Sequence, residues 1–173
     1  GARFNRAHEV IAALERQFPK VWTLTQNIDG FHRDAGSKNI IEIHGDIHDI
    51  LCTNCEYKDT VYDYRALNGV PHCPHCGEVV RPAVVLFGER LPYHKMGVLQ
   101  RELDRGFDIV FSIGTTSVFP YIAEPVILAK HRGNVTVEIN PGYSEITDLF
   151  DFKFFSGAAE TLDEIWRQFE VNR

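Results

Sequence analysis

The stretch "EIHGDIHDILCTNC", residues 42–55, decides how the chain is built. It opens as the end of an apolar run, "NIIEI" (39–43), that reads as a buried strand, and it closes on a Cys-x2-Cys pair. His44 and His48 lie between, and histidine beside cysteine is a common zinc pattern. The second cysteine pair separates these features. Cys73 and Cys76 follow Cys55 after 17 intervening residues, a spacing that fits a four-cysteine zinc site and that four unrelated thiols would seldom produce. Each knuckle sets two thiolates on one side of a tight turn, and Gly77 suits the backbone of the second. Four thiolates suit iron as well as zinc. They also close a tetrahedral shell, so no position remains for a substrate water and the metal is expected to be structural. His72 and His75 then read as surface residues, His48 as a surface or hinge residue, and His44 as part of something other than the metal site.

Outward from this stretch the texture differs on the two sides. Residues 4–17 carry Ala7, Val10, Ile11 and Leu14 at helical spacing, with Phe18 next in the series and Pro19 just after the end. "VWTLT" (21–25) reads as a strand. After the Cys-rich insert, "AVVLF" (83–87), "FDIVFSI" (107–113), "NVTVEI" (134–139) and "FKFFS" (152–156) read as strands. Helices are expected over 93–105, 120–131 and 159–170, with Gly133 stopping the second. Strands alternating with helices predict an α/β, Rossmann-like, mostly parallel sheet with helices on both faces. The expected organisation is one discontinuous body, residues 1–47 and 81–173, interrupted by a small four-cysteine zinc-ribbon module at 48–80.

Composition narrows the function classes. Eighteen basic against 24 acidic residues give a net charge of −6, which argues against a general nucleic-acid or acidic-membrane binder. Between Cys52 and Cys76 the only basic residues are Lys58 and Arg65, against Glu56, Asp59 and Asp63, so a nucleic-acid-reading zinc ribbon has little support. No apolar run reaches membrane-spanning length, and "GARFNRAHEV" shows no signal-peptide core. Cysteines confined to Cys-x2-Cys pairs suit a reducing compartment, and a cytoplasmic location is expected.

Ligands of doubly wound sheets bind beyond the carboxyl ends of the strands. Four polar clusters occupy such ends: "TQNIDG" (25–30), His44-Gly45, "GTTS" (114–117) and Asn140-Pro141-Gly142. Each has an ordinary reading. Asn27 and Asp29 suit an Asx turn, "GTTS" suits helix capping or a phosphate site, Asn140 to Gly142 suit a turn, and a lone histidine suits a core. Their convergence on one small sheet is what points to a site.

"TQNIDGFHRDAG" (25–36), "IIEIHG" (40–45), the two cysteine pairs, "RPAVVLFGE" (81–89), "IGTTSVFP" (113–120) and "EINPG" (138–142) stand in the order found in sirtuins, and the chain resembles that family from about Asn5 to its last helix. The resemblance implies an NAD-dependent protein lysine deacylase of the kind found in bacteria, deacetylase-type, yielding nicotinamide and 2′-O-acyl-ADP-ribose. It implies His44 as general base, a role that suits a side chain titrating near neutrality. Asn27 and Asp29 would act with it. NAD would meet Gln26, Asn27, Ile28 and Asp29 at the nicotinamide ribose, Gly114, Thr115 and Thr116 at the phosphates, and Asn140, Pro141, Gly142 and Ala158 at the adenosine. Val84, Val85, Phe87, Gly88, Glu89 and Val118 would hold an acyl-lysine peptide, which adds as a strand. Cys52, Cys55, Cys73 and Cys76 would hold one Zn2+ per chain.

The family's Gly-Ala-Gly cofactor segment has no counterpart between Gly1 and Arg173, so the first strand and Gly-rich loop are expected to be missing. Two readings follow: a deacylase, or a catalytically incompetent sirtuin-like fragment or scaffold. Either would leave a sheet edge open to self-association.

Overall fold

The computed structural model describes residues 2–66 and 69–172; Gly1, Leu67, Asn68 and Arg173, which fall within the expected body and insert, lie outside the described residues. The chain opens with helix α1 (Arg6–Gln17). Asn5 caps it, its side-chain oxygen accepting the Ala7 N–H at 3.0 Å while His8 Nδ1 accepts the Asn5 N–H at 3.2 Å. This is the reciprocal arrangement of a capping box, with histidine where glutamate is usual. Strand β1 (Thr23–Thr25), a four-residue helix α2 (Phe31–Asp34) and strand β2 (Ile40–Glu42) follow. The metal-bearing part contributes β3 (Gly45–Cys52), β4 (Lys58–Thr60) and β5 (Val80–Val84). The α/β alternation then resumes with α3 (Tyr93–Arg105), β6 (Ile109–Ile113), α4 (Pro120–His131), β7 (Val135–Ile139), β8 (Phe152–Phe154) and α5 (Ala158–Val171).

The strands form three sheets. β1 and β2 pair in parallel, β6, β7 and β8 form a parallel sheet in that order, and β4, β3 and β5 form an antiparallel one. The parallel strands are therefore divided between two sheets where one was expected, because among the described residues no strand pairs with the second edge of β1 or of β6. What joins the two is side-chain packing. Ile41, Ile43, Leu99 and Leu103 form a buried cluster with Trp22, Leu24, Phe107, Tyr121 and Leu128, drawn from β1, β2, α3 and α4. A second cluster, Ala7, Val10, Val137, Ile139, Leu162 and Trp166, seats α1 and α5 on β7. A third, Ile50, Cys52, Cys73 and Val80, is the small core of the antiparallel sheet. Among the described residues no helix is long and apolar enough to cross a membrane.

Two elements differ from expectation for physical reasons. β3 reads poorly as a strand because Asp46, His48 and Asp49 interrupt its apolar pattern, yet Asp46 is buried and paired. The strand expected over 83–87 is found at Val80–Val84, because its ladder follows β3 in the register Cys52↔Val80 to Gly45↔Val84. Beyond Val84, Arg81 and Glu89 pair across a turn and lift Leu86 to Glu89 off the ladder.

The β2–β3 corner is the tightest point of the fold. Gly45 has φ +89°, and a Cβ there would collide with the Ala83 carbonyl. Gly97, inside α3, has nothing within 4 Å of where a Cβ would stand. Gly45→Ala is expected to cost at least about 2 kcal/mol, whereas Gly97→Ala is expected to add about 1 kcal/mol; urea unfolding of the two variants checks both signs.

Candidate functional site

His44 sits in the turn between β2 and β3, and three backbone bonds fix it. The Ile43 N–H donates to Thr25 O at 3.0 Å, the Val85 N–H donates to His44 O at 2.8 Å, and the Ile47 N–H donates to Ile28 O at 2.8 Å. These bonds draw the loop after β1, the corner after β2 and the segment after β5 around one open cleft. Its volume is about 470 Å3, and its walls are Gln26, Asn27, Ile28, Asp29, His44, Val84, Val85 and Leu86. All of these but Leu86 were singled out in sequence; Asn27 is exposed, and Asp29 Oδ1 accepts the Phe31 N–H at 3.1 Å, forming the expected Asx turn. The His44 Nε2 lies 2.8 Å from the Tyr121 hydroxyl, to which Gln26 Nε2 donates at 3.1 Å. Nothing in the sequence marked Tyr121, since its partners are 77 and 95 positions away.

The other clusters meet at the ends of β6, β7 and β8. Asn140 Nδ2 donates to Thr115 O at 3.0 Å, and the Glu145 N–H donates to Thr116 O at 3.0 Å, so "GTTS" and "INPG" form one surface, with Pro141 and Gly142 exposed. "GTTS" does not cap α4, whose N-cap is Phe119. Ser117 instead has φ 54°, the one positive value among non-glycine residues described, and its buried hydroxyl has no partner among them. Backbone strain and an unpartnered buried hydroxyl thus coincide at Ser117, beside exposed Gly114 and Thr116, and such features cluster at ligand sites. Ser117 was marked in sequence only as the last residue of the "GTTS" cluster; its positive φ leaves no local signal. Ala158 follows at the start of α5, half-buried against the cluster that holds Ile139.

On the far side of the cleft, Val84 and Val85 are half-buried while Leu86, Phe87, Gly88, Glu89 and Val118 are exposed. Phe87 stands wholly in solvent. Glu89 is engaged within the protein: Arg81 forks onto both carboxylate oxygens at 2.7 and 2.9 Å, and the Leu86 N–H donates at 3.0 Å. The Arg81 guanidinium, and after it that N–H, hold the Glu89 carboxyl down at about 2.

Beneath the cleft, Gly30 (φ +73°) packs so closely that a Cβ would lie 2.9 Å from Asp46 Oδ2 and 3.3 Å from His48 Nδ1. The buried Asp46 accepts from the His48 N–H and Nδ1 at 2.8 Å each and faces Arg33 at 3.3 Å, while Arg33 also pairs with Glu42 at 2.5 Å. His48 thus anchors the corner and is not a plain surface residue. Above it, the His8 and His32 rings lie 4.7 Å apart, and His32 Nδ1 is buried with no partner among the described residues. Burial, and after it the neighbouring His8, push His32 down to about 4 from its ordinary 6.5; burial also lowers His8. Burial disfavours the charged form of both rings, so the unfolded chain takes up their protons first. Stability is therefore full above about pH 6.5 and falls as pH drops toward about 4. Unfolding free energy measured from pH 7.5 to 4.5 is expected to decline, and His32→Asn is expected to flatten that decline.

The four cysteines converge as their spacing requires. Their sulfurs all lie within 4.8 Å of one another, with Cys52–Cys76 and Cys55–Cys73 at 3.5 Å and Cys55–Cys76 at 3.6 Å. A tetrahedron with Zn–S bonds of about 2.3 Å has edges of about 3.8 Å, so the donor set fits zinc. Cys52 Sγ accepts the N–H groups of Asn54 and Cys55, and Cys73 Sγ that of His75. The Asn54 N–H leads in lowering the Cys52 thiol to about 6, whereas at Cys55, against the Tyr57 backbone bond, burial and the neighbouring sulfurs push the thiol up to about 12, the opposing shifts of sulfurs crowded together. No histidine enters the set. Removing a bound metal is expected to cost several kcal/mol and to lower the melting temperature by about 10 °C or more; a melting curve unmoved by a chelator that strips all zinc would contradict a structural role.

Comparison with known proteins agrees with this geometry. The Sir2 family matches residues 1–120. A Pseudomonas aeruginosa protein named NAD-dependent protein deacylase 2 is 44% identical over 168 residues, covering 95% of this chain and 65% of that protein. The chain thus spans about two thirds of the length of such relatives. A solved Sir2 homologue in complex with NAD superposes with a TM-score of 0.91 at 35% identity, over 99% of this chain and 67% of that one. A solved Sir2 bound to a p53 peptide and NAD+ gives 0.87 at 30% identity, over 98% and 69%. With a family match across more than half its length and the fold shared almost end to end, the chain belongs to the Sir2 family, the sirtuins.

Proposed function

We propose that this chain serves NAD-dependent removal of acyl groups from protein lysine side chains, with His44 as general base. The observation that carries this reading is the position of His44: at a parallel strand's carboxyl end, on a cleft shared by Gln26 to Asp29 and the segment after β5. The relative named a deacylase and the solved complexes with NAD and peptide support it. The residues present suit NAD, because exposed Asn27 and exposed Thr116 follow the carboxyl ends of β1 and β6, with the orphaned Ser117 hydroxyl buried beside the second. NAD, when bound, supplies an electrophilic sugar carbon and a hydroxyl that accepts the acyl group, so that nicotinamide and 2′-O-acyl-ADP-ribose leave.

The chain's own groups bind and move a proton. Gln26, Asn27, Ile28 and Asp29 hold the nicotinamide ribose, with Asn27 and Asp29 aiding His44, which accepts the hydroxyl proton. Gly114, Thr115 and Thr116 hold the phosphates, and Asn140, Pro141, Gly142 and Ala158 the adenosine. An extended acyl-lysine peptide adds its backbone beside Val84 and Val85, with Phe87, Gly88, Glu89 and Val118 around it. Substrate lies between the body of residues 1–47 and 81–173 and the metal module of 48–80. Thiols kept for a metal fit the cytoplasm. Among the described residues the second edges of β1 and β6 are unpaired, which favours a second reading, a scaffold that self-associates by strand pairing.

Incubation with NAD and an acetyl-lysine peptide separates the readings. Deacylation predicts nicotinamide release that falls at least ~100-fold in His44→Ala. Peptide binding without release, in a chain that sediments as a dimer, would overturn the deacylase reading and support the scaffold.

A further inference from the structure

We propose that Tyr121 is a positioning residue for His44: its phenol oxygen holds the imidazole by Nε2 and so leaves Nδ1 as the nitrogen that takes up the substrate proton. This deepens the deacylase reading and rests on His44 being its base. The contact is between distant parts of the chain. Tyr121 is the second residue of α4, and His44 follows β2, yet the two polar atoms lie 2.8 Å apart.

The 2.8 Å contact admits two tautomers: the Tyr121 O–H donates to His44 Nε2, or the His44 Nε2–H donates to the phenol oxygen, which also accepts from Gln26 Nε2 at 3.1 Å. A base at Nδ1 requires the second, because only with the hydrogen on Nε2 does Nδ1 keep its lone pair. That atom has no hydrogen-bond partner among the described residues and is absent from their buried unpaired atoms, so it reaches the open space that His44 lines. One ring nitrogen is therefore held by the protein and the other is presented to the cleft. This is the division of labour by which a base is oriented by a third group.

Tyr121 is itself well anchored. Its ring stacks on Phe119 with centroids 5.6 Å apart and planes 20° apart. It also packs against the cluster of Ile41, Ile43, Leu99 and Leu103, so its rotamer is set by the core that joins the two parallel sheets. A half-buried tyrosine hydroxyl satisfies itself with any polar neighbour. Here both neighbours are walls of the cleft, and one of them is the proposed base. In the chemical step the hydroxyl O–H bond breaks and its proton passes to His44 Nδ1; the freed oxygen electron pair forms the new bond to the acyl carbon as that carbon's π bond breaks and its electrons move onto the attached heteroatom. The imidazolium keeps its Nε2–H on Tyr121 throughout.

Imidazole 15N spectra of the whole chain, recorded without NAD or peptide, read the tautomer directly. The wild type is expected to show His44 protonated at Nε2. Tyr121→Phe keeps the ring and its packing but removes the acceptor, and is expected to shift His44 toward the Nδ1–H form. In turnover with NAD and acetyl-lysine peptide, the same variant is expected to lose about tenfold in kcat with the peptide KM unchanged, a smaller loss than deletion of the base. A wild-type Nδ1–H tautomer, or a tautomer indifferent to Tyr121→Phe, overturns the proposal, as does an unchanged kcat. If the wild type shows no turnover, the deacylase reading falls and the 15N spectra alone decide whether Tyr121 positions His44.

Discussion

The contact between Gly45 and the Ala83 carbonyl is the constraint on which the rest of the molecule depends. Here the parallel strand β2 ends and the antiparallel strand β3 begins, and only a residue without a Cβ, at φ +89°, lets β5 cross so close. That crossing puts the Val85 N–H on His44 O and the Ile47 N–H on Ile28 O. Three loops far apart in sequence are thereby held at one cleft by backbone bonds, so its shape does not rest on flexible side chains. Gly30 against Asp46, and Arg33 across Asp46 and Glu42, repeat the arrangement one layer below.

The metal site and the cleft share a strand and divide its labour. β3 begins beside His44 and ends at Cys52. Four sulfurs suffice for a tetrahedral shell, and among the described residues no histidine joins them, so a bound ion would serve as a clamp on the strand's far end. The core it encloses is small, Ile50, Cys52, Cys73 and Val80 with Tyr57, Val61 and Tyr64 packed against them, and cores of this size are commonly supplemented by a structural metal. Binding energy of a structural zinc, on the order of 10 kcal/mol, is large against any such core. The cluster therefore bears on the chemistry mechanically, by keeping β3 and β5 in register.

Much of this was legible in the sequence, for reasons that can be named. α3 and α4 fall at their expected bounds because Gly106 ends the first and Pro120 opens the second. The cysteine spacing marked the metal site because its ligands sit in two local knuckles. β3 was not legible, since its buried Asp46 is compensated by Arg33 and His48, a pairing that no periodicity reports. The division of the parallel strands into two sheets was likewise invisible, because pairing is a property of edges and not of apolar runs. The strain at Ser117 and the role of Tyr121 were not legible, because a positive φ and a contact spanning 77 positions leave no local mark.

The central claim is that one backbone crossing positions the cleft, and native-state amide hydrogen exchange tests it most directly. The Ile47 and Val85 N–H groups, which tie the crossing to the loop after β1 and to His44, are predicted to open together and to lose protection together when the metal is removed. Exchange of Val85 at the rate of an unstructured amide, with the metal in place and Ile47 still protected, would contradict the account.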